Sequence, residues 1–308
     1  MKVAALIERL FTADPSPTVA EDVDTWWRAH REREVPTSAA RAVLGGFAAD
    51  RLGWAFASGY QSAGEALFGD GSPSRDLGAL CATEKGGVHP RAIETTLVEH
   101  SDGELRLNGR KSFVTFGSEA TALFVVAKAG QRHGGLVDLR VVRITPRSGV
   151  TVTPQEGVPF CPEVPHASLQ LDEVRVTPEE VLEGDGYLAY LKPFRTVEDI
   201  HVHLGLLGWL VQVGRRSTWP TATIARLLSS VVTLHALAEQ DPSAPATHVA
   251  LGGALADITA LVDDLDWSSV DEPTRSRWQR DHALMTVAGK ARAKRLEAAW
   301  RALGTGAG

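Results

Sequence analysis

Cys81-Ala82-Thr83-Glu84-Lys85-Gly86-Gly87, followed by Leu107-Asn108-Gly109-Arg110-Lys111-Ser112-Phe113-Val114-Thr115-Phe116-Gly117, decides how this chain is read. Both stretches lie in the one third of the sequence where apolar residues alternate with polar ones, the two-residue period of a strand with one buried face. Eight short strands are expected there, at 77–82, 94–99, 104–107, 112–115, 123–127, 137–144, 150–153 and 167–171. Glycine-rich turns separate them, and Asn108-Gly109 reads as a tight hairpin, because both residue types accept the positive φ of such a turn. This pattern predicts an antiparallel barrel or sandwich. Thr83 and Thr115 stand at the ends of apolar runs, where a short hydroxyl can face a ligand.

On either side the period becomes helical. Helices are expected over 3–11, 19–34 and 39–68 before the β-region, the second entered through a capping box at Thr18 and Glu21. Gly45-Gly46 and Gly59 weaken the third, which reads as one helix or two. A loop at 69–74 closes this part. After the β-region come helices over 195–216, 223–238, 248–265 and 277–303. The fold class is therefore α+β: an N-terminal helical lobe (1–75), a middle antiparallel β-domain (76–186) and a C-terminal antiparallel helix bundle (187–308).

Composition narrows the function classes. The net charge is −6, from 32 basic and 38 acidic residues intermixed along the chain. That gives no basic footprint for nucleic acid. The two cysteines, Cys81 and Cys161, fit neither a disulfide framework nor a zinc site, and a reducing cytoplasm is expected. Charges interrupt the apolar run at the N-terminus, so no signal peptide is expected, and no stretch has the roughly 18 consecutive apolar residues of a membrane span.

Taken in order, Ala82-Thr83-Glu84-x-Gly86, Thr95-Thr96, the 107–117 run and Leu169 to Thr177 resemble the middle domain of the acyl-CoA dehydrogenase family. Arg195 to Gly208 is similar to that family's R-x-x-x-A-A-x-x-x-G helix. The resemblance implies an FAD lying against the β-domain, with the Thr83 and Thr115 hydroxyls donating to the edge of the flavin ring and Phe113, where the family has Trp, covering it. It also implies an acyl thioester substrate, carried on CoA or on a carrier protein, and a homo-oligomer or a hetero-oligomer with a related subunit. Val88-His89-Pro90 replaces the family's Gly-Ser-Asp, so a CoA ester is expected to be gripped differently. Arg215-Arg216 stands where the family contacts a neighbouring subunit's cofactor.

Oxidation of an acyl thioester needs a carboxylate to take the proton α to the carbonyl. The family's usual glutamate is expected to be absent. On the 195–216 helix, Arg195 and Glu198 share one stripe with His201, and Asp199 and His203 form a second pair. Glu198 with Arg195 is the candidate relocated set, with Asp199 left open as the acid that faces the flavin. Glu84 reads as structural, and His166, His235, His248 and His282 receive no role. The alternative is a non-catalytic or partner-subunit member of the fold that does not bind FAD productively.

Overall fold

The computed structural model describes residues 2–33, 35–69, 76–101, 103–131, 133–155 and 159–304. Most of the loop expected at 69–74 lies outside them. Contacts divide the chain into two compact units. A helical unit combines residues 1–66, 158–163 and 195–308, and a β-unit combines 67–157 and 164–194.

The β-unit holds a curled seven-stranded sheet: β1 (Gly78–Cys81), β2 (Thr96–Glu99), β3 (Leu105–Thr115), β4 (Ala122–Gln131), β5 (Val137–Ile144), β6 (Val150–Gln155) and β7 (His166–Val176). The α+β class holds. The order is β1-β4-β2-β3-β7-β6, with β5 on β4. Most pairs are antiparallel, but β4 runs parallel to β1 and to β2, a departure from the all-antiparallel expectation. Leu97, Leu107, Val114, Val125, Val142, Leu169, Leu171 and Val174 fill its core.

The expected hairpin at Asn108-Gly109 is not a turn. The strands expected at 104–107 and 112–115 are one continuous strand, β3. Gly109 has φ +151°, and a Cβ there would lie 2.4 Å from Thr95 Oγ1, so glycine is needed for close passage of a neighbouring strand and not for reversal of the chain. The ladder slips at this point: Leu107 faces Val174 while Gly109 faces Leu171. Asn108 spans the bulge in β7, donating from Nδ2 to Glu173 Oε1 (2.6 Å) and accepting from Glu173 N–H (2.8 Å).

The helical unit contains α1 (Val3–Thr12), α2 (Val23–Arg31), α3 (Ser38–Phe47) and α4 (Leu52–Phe68). After the β-unit come α5 (Lys192–Arg216), α6 (Thr221–Leu237), α7 (Pro245–Asp263), α8 (Glu272–Asp281) and α9 (Gly289–Ala302). Two expectations are corrected, at the α2 cap and in the 277–303 segment, and one left open is decided. Asp22, not Thr18, caps α2, accepting from Thr25 N–H, while Thr18 N–H bonds to Ala48 C=O. The 39–68 segment breaks after Phe47, downstream of Gly45-Gly46. The 277–303 segment is two α-helices joined by a 3₁₀ turn at His282–Thr286. By length and composition α7 is apolar enough to cross a membrane, yet Leu251, Leu255, Ile258 and Leu261 are buried and it packs on α6 and α9.

Glycines explain how α5 is held. A Cβ on Gly46 would sit 1.8 Å from the Gly205 carbonyl oxygen, on Gly208 2.1 Å from that of Val43, and on Gly59 2.5 Å from that of His201. The backbones of α3 and α4 touch that of α5 directly. Trp209 of α5, Trp267 and Trp278 stack with centroids 4.6–6.2 Å apart, which packs the latter two against α5.

Candidate functional sites

Two polar clusters are built from the quoted stretch. The first is closed. Lys111 Nζ lies 2.6 Å from Glu84 Oε1 and donates to Val126 C=O at 2.6 Å. Glu84 also accepts from Glu94 N–H (2.7 Å), Thr95 N–H (3.1 Å) and Thr95 Oγ1 (2.7 Å). Burial alone would raise the Glu84 carboxyl, but Lys111 and these donors outweigh it and hold the group below its usual range. Glu84 is structural, as expected. Lys111, to which sequence reasoning gave no role, is its buried counter-ion.

The second cluster is open. Between Lys111 and Val114 the register against β7 slips again, Lys111 facing Leu169 and Val114 facing Ala167. The extra residue on β3 lets both Lys111 and Val114 point inward although they are three apart, and it turns Phe113 and Thr115 to the outer face. Thr83 joins them through a bridge to Phe113, its carbonyl accepting from Ser112 N–H at 2.8 Å. The three expected flavin contacts are thus brought together. Phe113 is 43% exposed, a large ring left open to solvent. Among the described residues neither the Thr83 nor the Thr115 hydroxyl has a hydrogen-bond partner.

His166, which the sequence did not single out, completes this face. It is the register partner of Thr115, and its ring lies 4.4 Å from that of Phe113. The ring is buried, which lowers its proton affinity, and Nδ1 has no partner among the described residues. Only the β3–β7 pairing places it here, so nothing local in sequence marks it.

In the helical unit the α5 residues fall into different situations. His201 bonds to Val197 C=O (2.8 Å) and Ser38 Oγ (2.9 Å), and His203 bonds to Asp199 C=O (2.7 Å). Burial brings both imidazoles down to about 4. Asp199 is gripped by α9: Arg292 Nε donates to Oδ1 at 2.9 Å and Arg295 donates to Oδ2. Glu198, partly buried beside it, has no hydrogen-bond or ion-pair partner among the described residues. Burial, then the Asp199 carboxylate, push its carboxyl up to about 7 against the opposing pull of Arg195, Arg292 and Arg295. Arg215 and Arg216 are used within this unit. Arg215 donates to the Leu10 and Ala13 carbonyls, and Arg216 reaches Asp271 and Thr274. His89 accepts from Arg91 N–H and caps a short 3₁₀ turn. Cys81 and Cys161 are free, buried thiols, and burial pushes Cys81 up to about 12.

A curled sheet with an open outer face, set in a chain that is otherwise helical, is the acyl-CoA dehydrogenase fold. Solved structures agree. The chain aligns with an FAD-dependent dehydrogenase at 16% identity, covering 99% of this chain and 98% of that one, with a TM-score of 0.70. It aligns with butyryl-CoA dehydrogenase from Megasphaera elsdenii at 14% identity, 96% and 93% coverage and a TM-score of 0.68. It also aligns with the FAD complex of PigA at 13% identity, 98% and 93% coverage and a TM-score of 0.68. Residues 79–174 match the family model described as acyl-CoA dehydrogenase, middle domain. Residues 79–174 thus resemble that family's middle domain, and the chain as a whole shares the fold of these structures. No curated protein sequence matches it significantly.

Proposed function

We propose that the chain is a flavoprotein oxidoreductase of the acyl-CoA dehydrogenase type, acting on the CH–CH bond of an acyl thioester. The observation that carries this reading is the outer face of the β-unit: two hydroxyls without partners among the described residues beside an open aromatic ring. Uncharged donors at the edge of a flat apolar surface fit a heteroaromatic ring with acceptor atoms on its rim, as a flavin has. FAD, when bound, supplies the hydride acceptor that oxidation of a CH–CH bond requires. Thr83 and Thr115 donate to the ring's edge and fix its orientation, and Phe113 shields it from water.

Glu198 takes the proton α to the thioester carbonyl. A carboxyl raised to about 7 holds a proton more firmly than an exposed one while still ionising near neutral pH, as a general base should. Arg195, one turn earlier, lowers that value and favours the ionised form before the substrate gives up its proton. The thioester is carried on CoA or a carrier protein, and the protein works as a homo-oligomer or with a related subunit in a reducing cytoplasm. Titration with FAD, followed by flavin absorbance and fluorescence, tests the reading. Saturable binding that Thr83→Val and Thr115→Val weaken is expected; failure of the purified protein to take up FAD overturns it.

A further inference from the structure

Asp199 and Glu198 are neighbours on α5, yet one carboxyl group is ion-paired and the other, among the described residues, is not. Arg292 and Arg295, one turn apart on α9, converge on Asp199, and Arg292 is itself fixed by donating to Met285 C=O at 2.7 Å. Both guanidiniums are thereby engaged on one carboxylate. α9 packs against α7 and exposes most of its other residues, and this double contact is what ties it to α5.

We propose that Asp199, clamped between Arg292 and Arg295, is a positioning residue for Glu198: it keeps both guanidiniums on itself and so leaves Glu198 as the unpaired proton acceptor of the turn. This rests on the proposed role of Glu198. The charged groups that act on Glu198 are Arg195 and Asp199 from its own helix and Arg292 and Arg295 from α9. Asp199 repels a second negative charge, and the arginines favour one. Were Asp199 neutral, the two guanidiniums would be left facing Glu198 without a competitor.

The sign of this coupling tests it. In protein carrying ¹³C-labelled glutamate, the Glu198 carboxyl resonance, assigned by its disappearance in Glu198→Gln, is followed against pH. Asp199→Asn should move its midpoint down by about one pH unit, and Arg292→Gln/Arg295→Gln should move it up by a comparable amount. Arg292→Lys/Arg295→Lys keeps the charges and should leave it near the wild-type value. If the contact were merely structural, breaking it from either side would admit water and lower the midpoint in both cases. A shift in the same direction, or no shift, therefore overturns the proposal. Should the Arg292→Gln/Arg295→Gln protein fail to fold, the single Arg295→Gln variant carries the same sign. The titration needs no bound flavin, so loss of FAD binding would remove the functional reading and leave this result standing.

Discussion

Thr95, just before β2, and Thr115, at the end of β3, both lie in the β-unit, but they have opposite uses. Thr95 is fully buried and gives its hydroxyl and its backbone N–H to Glu84, inside a cluster whose central charge is matched by Lys111. Thr115 lies on the outer face beside an exposed ring, its hydroxyl without a partner among the described residues. A saturated polar cluster holds a fold together, whereas one with unused donors is available to a ligand. The 107–117 run feeds both clusters, through Lys111 and through Thr115 four residues on, so matching it says little about which residue does which task.

The sharpest way to break this contrast is at Lys111. Lys111→Met should cost about 3–5 kcal/mol in denaturant unfolding, because it strands a buried carboxylate. Equal stability of variant and wild type would show that Glu84 finds water or another partner. Next in size, Gly109→Ala should lose about 1–3 kcal/mol through its forbidden φ and the collision with Thr95, again read from the unfolding midpoint. On the open side, Thr115→Val should leave stability within about 0.5 kcal/mol and weaken FAD binding about two- to tenfold, the worth of one neutral hydrogen bond. A Thr115→Val protein that loses stability and keeps its flavin affinity would reverse the assignment of the two clusters.

The smallest expected effect concerns pH. Glu198 binds its proton more tightly folded than unfolded, so between its ordinary value near 4.5 and about 7 the folded state holds more protons, and stability falls as pH rises. Glu198→Gln should therefore be more stable than wild type at pH 8, with the difference closing as pH falls from about 7 to about 4.5. His30, buried against Trp26 and Trp27 and brought down to about 3, acts in the opposite sense. Its contribution is present above about 6.5 and is lost as pH falls toward 3, so subtracting wild type from Glu198→Gln isolates the glutamate.

Local pattern made much of this architecture legible. The strand and helix periods placed the β-region and nearly all of the helices, and the Thr83, Phe113 and Thr115 positions meet on one face. What failed were features decided by distant chain. Asn108-Gly109 has the composition of a hairpin, and only the passage of Thr95 and the shape of β7 make it a bulge. Thr18 has the chemistry of a cap, and its pairing with Ala48 takes it elsewhere. His166 reaches Phe113 through strand register, and Asp199 reaches α9 through tertiary packing, neither of which leaves a mark in nearby sequence. In sequence, Gly45-Gly46 is a weak point in a helix. In the structure those glycines are where another helix comes close.

Those glycines also set what α5 can do in time. With carbonyl oxygens of one backbone seated where methyl groups of another would be, α5 can neither slide by a turn nor rotate about its axis without driving Gly205 into Gly46 or Val43 into Gly208. Movement of the Glu198 turn relative to α3 and α4 would require the three helices to part, and short of that they travel as one piece. Amide hydrogen exchange along the middle of α5 should accordingly be among the slowest in the helical unit, in step with that of α3 and α4.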